Sequence, residues 1–531
     1  MALSADIAGI GPLLRASVRH EARTFAPWIL IPIALSVSSV VIYPLLFPDV
    51  PERMSFAATI GSNPALGLIF GPAFDLGTVD GFNAWRSLAL GGFAVALGAI
   101  FIVVGASRGQ EDSGQAELLA SGVLGRQSRL LTAVAMGVLM SVVAGAVTGV
   151  VTAWCGGGWG ASMILGAGFT ATGATFASIA AVTSQVGADA PTASSIAVGI
   201  LGVLFVLRGF LYSVDAPSWT TWVNPLGWVT ETRPASGDHW VPLIYSVLLA
   251  VVLIALAVVL QRSRDFGQGL IAARPGPARG SIRSPLGLAV RLNRSTAIYW
   301  SVAFVGLGVI FGYFAGSVKD ILASSPALTE IFAGGSTSPA DLTSAFVVTI
   351  LGLAGIIASI SGVQTMNRLR TEELGDRAEP VLATAVSRVG YLRSSILLAL
   401  ATPAVCVVVA GVVMSVFVSF ADLGLSFGTV ILQSLATIPA VWTVVAFSVA
   451  VIGARPEARV AGWAGVLLSF VLTLLGPSFK LPNWALGFSP FRHVPDVAVD
   501  SSNWVGLIWI SLFTVGFLTV GVVGFRSRDT P

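Results

Sequence analysis

The chain has 531 residues, 55% of them hydrophobic and only 10% charged, with a mean hydropathy of +0.86. A soluble domain carries about 25% charged residues, so an ordinary soluble protein is excluded. The pI of 9.1 comes from loop arginines and does not describe a nucleic-acid surface.

Long windows almost free of charge predict membrane-spanning helices, each about 20 residues. Residues 11–24 alternate leucine and valine with Arg15, Arg19 and Arg23 and predict a helix lying in the membrane interface. They show no signal-peptide pattern. Spans are predicted at 25–47, 87–106, 130–154, 161–186, 193–214 and 241–260. A proline- and glycine-rich outer segment follows the first span. A polar, acid-rich island, QEDSGQAELLASGVLGRQSR at 110–129, follows the second. The middle of the chain is arginine-rich and predicts a cytoplasmic linker at 266–283, followed by a second interfacial helix. Six further spans are predicted at 296–316, 343–362, 394–420, 426–453, 460–475 and 504–525. The expected fold is therefore all-α with twelve spans in two six-span halves, 1–265 and 284–531.

The halves echo one another. The island returns as TEELGDRAEPVLATAVSRVGYLR at 371–393. Glu111 and Asp112 match Glu372 and Glu373, Gly114 matches Gly375, and Glu117 matches Glu379, with one residue inserted after the second glycine. Asn63-Pro64-Ala-Leu returns as Ser325-Pro326-Ala-Leu. Pro217-Ser-Trp219 and Asn224-Pro225-Leu226 return as Pro482-Asn-Trp484 and Ser489-Pro490-Phe491. These echoes point to a duplication. An even number of spans per half gives both copies one orientation and predicts a pathway between them. The segments assigned to the cytoplasm hold 22 of the 29 basic residues and outer segments six, which predicts both termini inside.

No energy source is visible in the chain. A phosphate-cradling loop needs a lysine in a set glycine frame. Lys319 and Lys480, the only lysines, do not fit it. The acids and histidines fall in loops or at span edges, which disfavours proton coupling. There is no metal spacing, and Cys155 and Cys406 are not expected to pair. A permease driven by a separately made ATPase is the simplest reading; a twelve-span drug/proton antiporter is the alternative.

On the first reading the islands dock the ATPase. Glu372, Asp376 and Glu379 would share one helical face, with Pro380 breaking the second copy. Gly114 and Gly375 would permit a sharp bend. The plainer reading of the islands is two solvated loops. Arg208 is the one charge placed inside a span, either functional or snorkelling to the nearby outer surface. Phe205, Phe210, Trp463 and Phe470 are candidates for an apolar pathway, against the plainer reading of lipid- or core-facing aromatics. The outer tryptophans suit an interfacial belt. Glycine- and alanine-rich third and fourth spans suit close helix packing.

EDSGQAELLA, EELGDRAEPVLA, the outer NPALGLIFGPAFD with GFNAWR, and the LRGF stretch together resemble the permeases of two-component ABC exporters of the tetronasin-resistance, polyketide-antibiotic type. The likeness covers essentially the whole chain. It implies a bacterial plasma-membrane protein whose ATP and Mg are bound by a separate subunit, two copies per permease. It further implies outward movement of hydrophobic drugs or antibiotics by alternating access. The segments 111–120 and 372–383 would then include the coupling helices. Gln115, where the family usually has arginine, and Asp376 in the second copy depart from its pattern.

Overall fold

The computed structural model describes residues 8–61, 64–120, 124–213, 216–265, 267–271, 280, 282–323, 339–420, 425–475, 482–499 and 502–528. They form helices and turns with no strand among them. The chain divides into two compact units, Met1–Gly276 and Pro277–Pro531.

The first unit opens with α1 (Ile10–Leu46). The amphipathic stretch expected as a separate interfacial helix is continuous with the first span. The outer segment folds as α2 (Val50–Gly61) and α3 (Pro64–Phe70). Next comes α4 (Val79–Asp112), which contains a π turn at Gly105–Gly109. Thr78 caps α4 by accepting from the Gly81 N–H at 3.1 Å. A short α5 (Gln115–Ala120) carries the island. It leads to α6 (Ser128–Trp154), α7 (Trp159–Val186) and α8 (Ala190–Ser213). After a 3-10 turn come α9 (Pro225–Thr230) and α10 (Pro242–Ser263).

Burial separates central from peripheral helices. In α7, 78% of the most apolar window is buried, against 17% in α10. Thus α7 and α4 form the centre, and α10 offers most of its apolar surface outward. The expected close packing of the glycine-rich spans is present. At the α6–α7 crossing, a methyl group on Gly145 would overlap the Gly166 carbonyl oxygen, and one on Gly166 would overlap that of Gly145. Thr170 Oγ1, one turn on, donates to the Gly166 carbonyl at 3.1 Å. In a membrane, helices gain little from hydrophobic exclusion, so this close approach supplies the adhesion. A second tie is polar and buried: Asn83 Nδ2 donates to Ser36 Oγ at 3.0 Å, and Ser36 bonds Thr152 at 2.8 Å. It joins α1, α4 and α6.

The second unit contains α11 (Pro285–Ala323), α12 (Pro339–Leu374) and α13 (Glu379–Leu382). They are followed by α14 (Arg388–Phe420), α15 (Phe427–Ala454), α16 (Gly462–Phe470), α17 (Asn483–Leu486) and α18 (Val505–Ser527). Its helices pair in the same order as those of the first unit. α11 lies on α14 as α1 lies on α6, and α12 on α15 as α4 on α7. Likewise α18 packs on α15 as α10 packs on α7. Gly411 faces Ser434 here, and Gly453 faces the Gly521 backbone, again too closely for a side chain.

Eleven helices among the described residues are long and apolar enough to cross a membrane, where twelve were expected. The exception is the segment predicted at 460–475. There, a 3-10 turn (Pro456–Ala461) precedes α16, and a π turn (Val471–Leu475) follows it. The apolar helix Gly462–Thr473 spans only about 18 Å at helical rise, short of the roughly 30 Å hydrocarbon layer.

Candidate functional site

The island of the first unit is built around a buried carboxylate. The π turn at the end of α4 carries Arg108, whose side chain is 0% exposed. One helical turn later Glu111 accepts from Arg108 Nη1 at 2.7 Å. Arg264, just past α10, grips the same carboxylate with two N–H groups at 2.8 and 2.9 Å. This two-pronged geometry is the strong form of a charge-assisted bond. Arg129, in the first turn of α6, stands 3.5 Å from Glu111 Oε1.

The arginines in turn reach further elements. Arg264 Nε donates to Gln185 Oε1 on α7 at 2.7 Å. Arg108 donates to the Ala188 carbonyl, before α8, and to Gly267 at 3.0 Å. One carboxylate therefore joins the ends of α4, α6, α7 and α10. The chain beyond α10 folds back onto α7, where Leu270 N–H donates to the Gln185 carbonyl at 3.0 Å. The neighbouring Asp112 stands 3.6 Å from Arg108 Nε and also accepts from the Ala190 N–H at 2.6 Å, so it caps α8. Substituting Asp112 with alanine is expected to destabilise the unit by about 1 kcal/mol, the usual value of a cap. A thermal melt matching the unaltered protein would show that this cap carries no weight.

The second unit has the same device. Glu373, its side chain 2% exposed, accepts from Arg370 Nη1 at 2.9 Å. It also accepts from Arg528 Nη2, just past α18, at 2.7 and 2.9 Å. This geometry corrects the register read from sequence. Glu111 corresponds to Glu373, not Glu372, and Arg108 to Arg370, each pair 262 residues apart. Gly114 takes a left-handed backbone, with φ of 75°, and its counterpart is Asp376, with φ of 55°. Gly375 is not at a positive φ among these backbone exceptions. Ala116 and Ala378 are both buried, and Glu117 and Glu379 both exposed, at the same spacing. No residue is inserted. Asp376 occupies the position where aspartate tolerates the turn better than most residues, so the two islands align without a gap.

The shared helical face expected for Glu372, Asp376 and Glu379 is not formed. The left-handed turn at Asp376 ends α12, and Glu379 begins α13. Pro380 sits in the first turn of α13, where it disrupts nothing. Glu372 is held by Arg377 at 2.8 Å. Of the residues expected to couple, Asp112, Glu117, Asp376 and Glu379 are exposed. Glu111 and Glu373 are interior anchors. The arginines that hold them, Arg108, Arg129, Arg264, Arg370 and Arg528, were not singled out from sequence. Their signal was present: an arginine three residues before each glutamate and another just after each unit's last apolar run.

At the opposite end of the first unit, Arg208 is turned inward. It is 8% exposed, and its Nη2 donates to the Ile69 carbonyl at 2.8 Å. Its guanidinium lies 4.9 Å from the Phe205 ring centre. Phe205 also packs edge-on against Phe93 at 5.1 Å in the unit's core. Phe210, Trp463 and Phe470 are exposed.

The Pro-containing turns are anchored to the neighbouring helix in each unit. Asn224 caps α9, with Pro225 in its first turn, and its Nδ2 donates to the Leu204 carbonyl at 2.7 Å. Ser489, before Pro490, bonds Thr473 at 2.8 Å. Trp219 and Trp484 are exposed. Pro64 begins α3. Asn63 and Pro326 lie outside the described residues.

The family described as "Multidrug efflux system permease Rv1217c, C-terminal domain" matches residues 53–262 and 282–526. The multidrug efflux system permease protein Rv1217c of Mycobacterium tuberculosis is 33% identical to this chain over 531 residues. The match covers 97% of this chain and 94% of the relative.

Proposed function

The chain belongs to the multidrug efflux system permease family, and on that premise we propose that it is the membrane part of an ATP-driven exporter of hydrophobic drugs. Its finer type is that of the tetronasin-resistance permeases. It arose by duplication of a six-span unit: helix pairing, island register and the two matched segments all support this. Counted with its flanking 3-10 and π turns, the segment 456–475 has the length to serve as the twelfth span. ATP and Mg are bound by a separate subunit, two copies per permease, and both termini face that subunit in the cytoplasm.

The observation that carries this reading is the paired junction of Glu111 with Arg264 and Glu373 with Arg528. Each rigidly joins an island to the last long helix of its unit. A force applied to the exposed side of the island therefore moves the spans instead of bending a loop. Exposed Glu117 and Glu379 are the contact points for a basic groove on the ATPase.

Double substitution Glu117→Lys and Glu379→Lys is expected to release the co-purifying ATP-binding subunit, since like charge across an interface costs several kcal/mol. The melting temperature of the permease should not change, because neither carboxylate is buried. Retention of the subunit at its original stoichiometry would sink the assignment of these contacts. Drug transport driven by a proton gradient without ATP would replace the whole reading with that of a secondary carrier.

A further inference from the structure

The cavity beside Arg208 holds a cation that has no carboxylate partner among the described residues. It has a volume of about 270 Å³ and is lined by Pro72, Phe74, Leu211, Thr220 and Thr221 as well as Arg208. Arg208 also borders two adjoining cavities at the same end of the unit. A guanidinium carries five N–H donors. Here Nη2 is satisfied by Ile69, whereas Nε is buried without a partner. No carboxylate among the described residues lies within 4.0 Å of it. Glu231, the acid on the same cavity wall, is committed to Arg233 through bonds of 3.0 and 2.7 Å. A buried charge without a counter-ion is costly. The Ile69 carbonyl at the end of α3 and the Phe205 ring offset only part of that cost.

We propose that this cavity binds the acidic group of an amphipathic anion, its oxygens on the Arg208 guanidinium and its apolar body against Phe74 and Leu211. A planar cation in a mostly apolar wall with a few hydroxyl groups favours a carboxylate or sulfonate on a hydrophobic frame. It disfavours an organic cation of the same shape. The corresponding position in the second unit is the uncharged Thr473, bonded to Ser489, so no arginine stands at that position there. That the bound anion is cargo rests on the export reading; the binding itself does not.

The test therefore needs neither ATP nor a partner subunit. The full chain in nanodiscs of zwitterionic lipid is titrated with anilinonaphthalene sulfonate and with uncharged phenylnaphthylamine, after subtraction of empty nanodiscs. Energy transfer from Trp219, Trp222 and Trp228, beside the cavity, reports occupancy. The unaltered protein should bind the sulfonate saturably and at least about tenfold more tightly than the neutral probe, a difference of about 1.4 kcal/mol. Arg208→Met should erase that preference and leave neutral-probe binding unchanged, while Arg208→Lys keeps part of it. Equal affinities of the unaltered protein for the two probes would overturn the proposal, even if Arg208→Met does not fold. An unchanged sulfonate preference in a folded Arg208→Met protein would also overturn it.

Discussion

Replacing Glu111 with alanine is expected to destabilise the first unit by about 3–5 kcal/mol, the cost of stripping a buried charge of its partner. Glu111 is 6% exposed and faces Arg108, Arg264 and Arg129, at 0%, 6% and 12% exposure. Removing it leaves three largely buried guanidinium groups repelling one another. Glu373→Ala should cost less, because it answers two arginines, at 10% and 13% exposure. For a unit of this size, about 1 kcal/mol moves the melting temperature by about 2–4 °C, so both losses are measurable in the purified protein. A double-mutant cycle sharpens the test. Glu373→Met combined with Arg528→Met should be more stable than Glu373→Met alone, because the orphaned charge leaves with its partner. Additive effects in that cycle, or a Glu111→Ala protein melting with the unaltered one, would show that the junctions do not stabilise the units that contain them.

The second large effect is expected at the α6–α7 crossing. Gly166→Leu should abolish the folded first unit, and Gly145→Leu should do the same. The obstacle in each case is a carbonyl oxygen of the facing helix, and backbone cannot rotate away as a flexible side chain can. Overpacking a well-fitted core costs about 1–3 kcal/mol when side chains give way, and here a central helix must move. Gly202→Leu on α8 is the control, with nothing within 4 Å of its added carbon. Detergent size-exclusion profiles of the three variants decide the matter. A monodisperse Gly166→Leu protein with normal yield would mean that the crossing tolerates separation and does not determine the fold.

Sequence alone determined the class of the protein and most of its plan. Hydropathy is a sum over local residues, so eleven of the twelve expected spans could be read directly, the segment at 460–475 being the exception. Its Pro456–Ala461 entry winds as a 3-10 turn and leaves the apolar helix short. The repeated island was legible too, because Glu117 with Glu379 and Arg126 with Arg388 recur at one spacing. Which acid did what was not legible. Glu111 and Asp112 are adjacent and chemically alike, yet one is buried among arginines from helix ends as far as 153 residues away and the other, exposed and beside Arg108, caps α8. In the second unit the wrong neighbour was matched. A glycine is the usual residue for a left-handed turn, but there Asp376 takes that conformation. The inward turn of Arg208 was equally hidden, since its partner, the Ile69 carbonyl, is a backbone atom 139 residues earlier. Burial and pairing of charge depend on which helix ends meet in space, and only the tertiary structure brings those ends together.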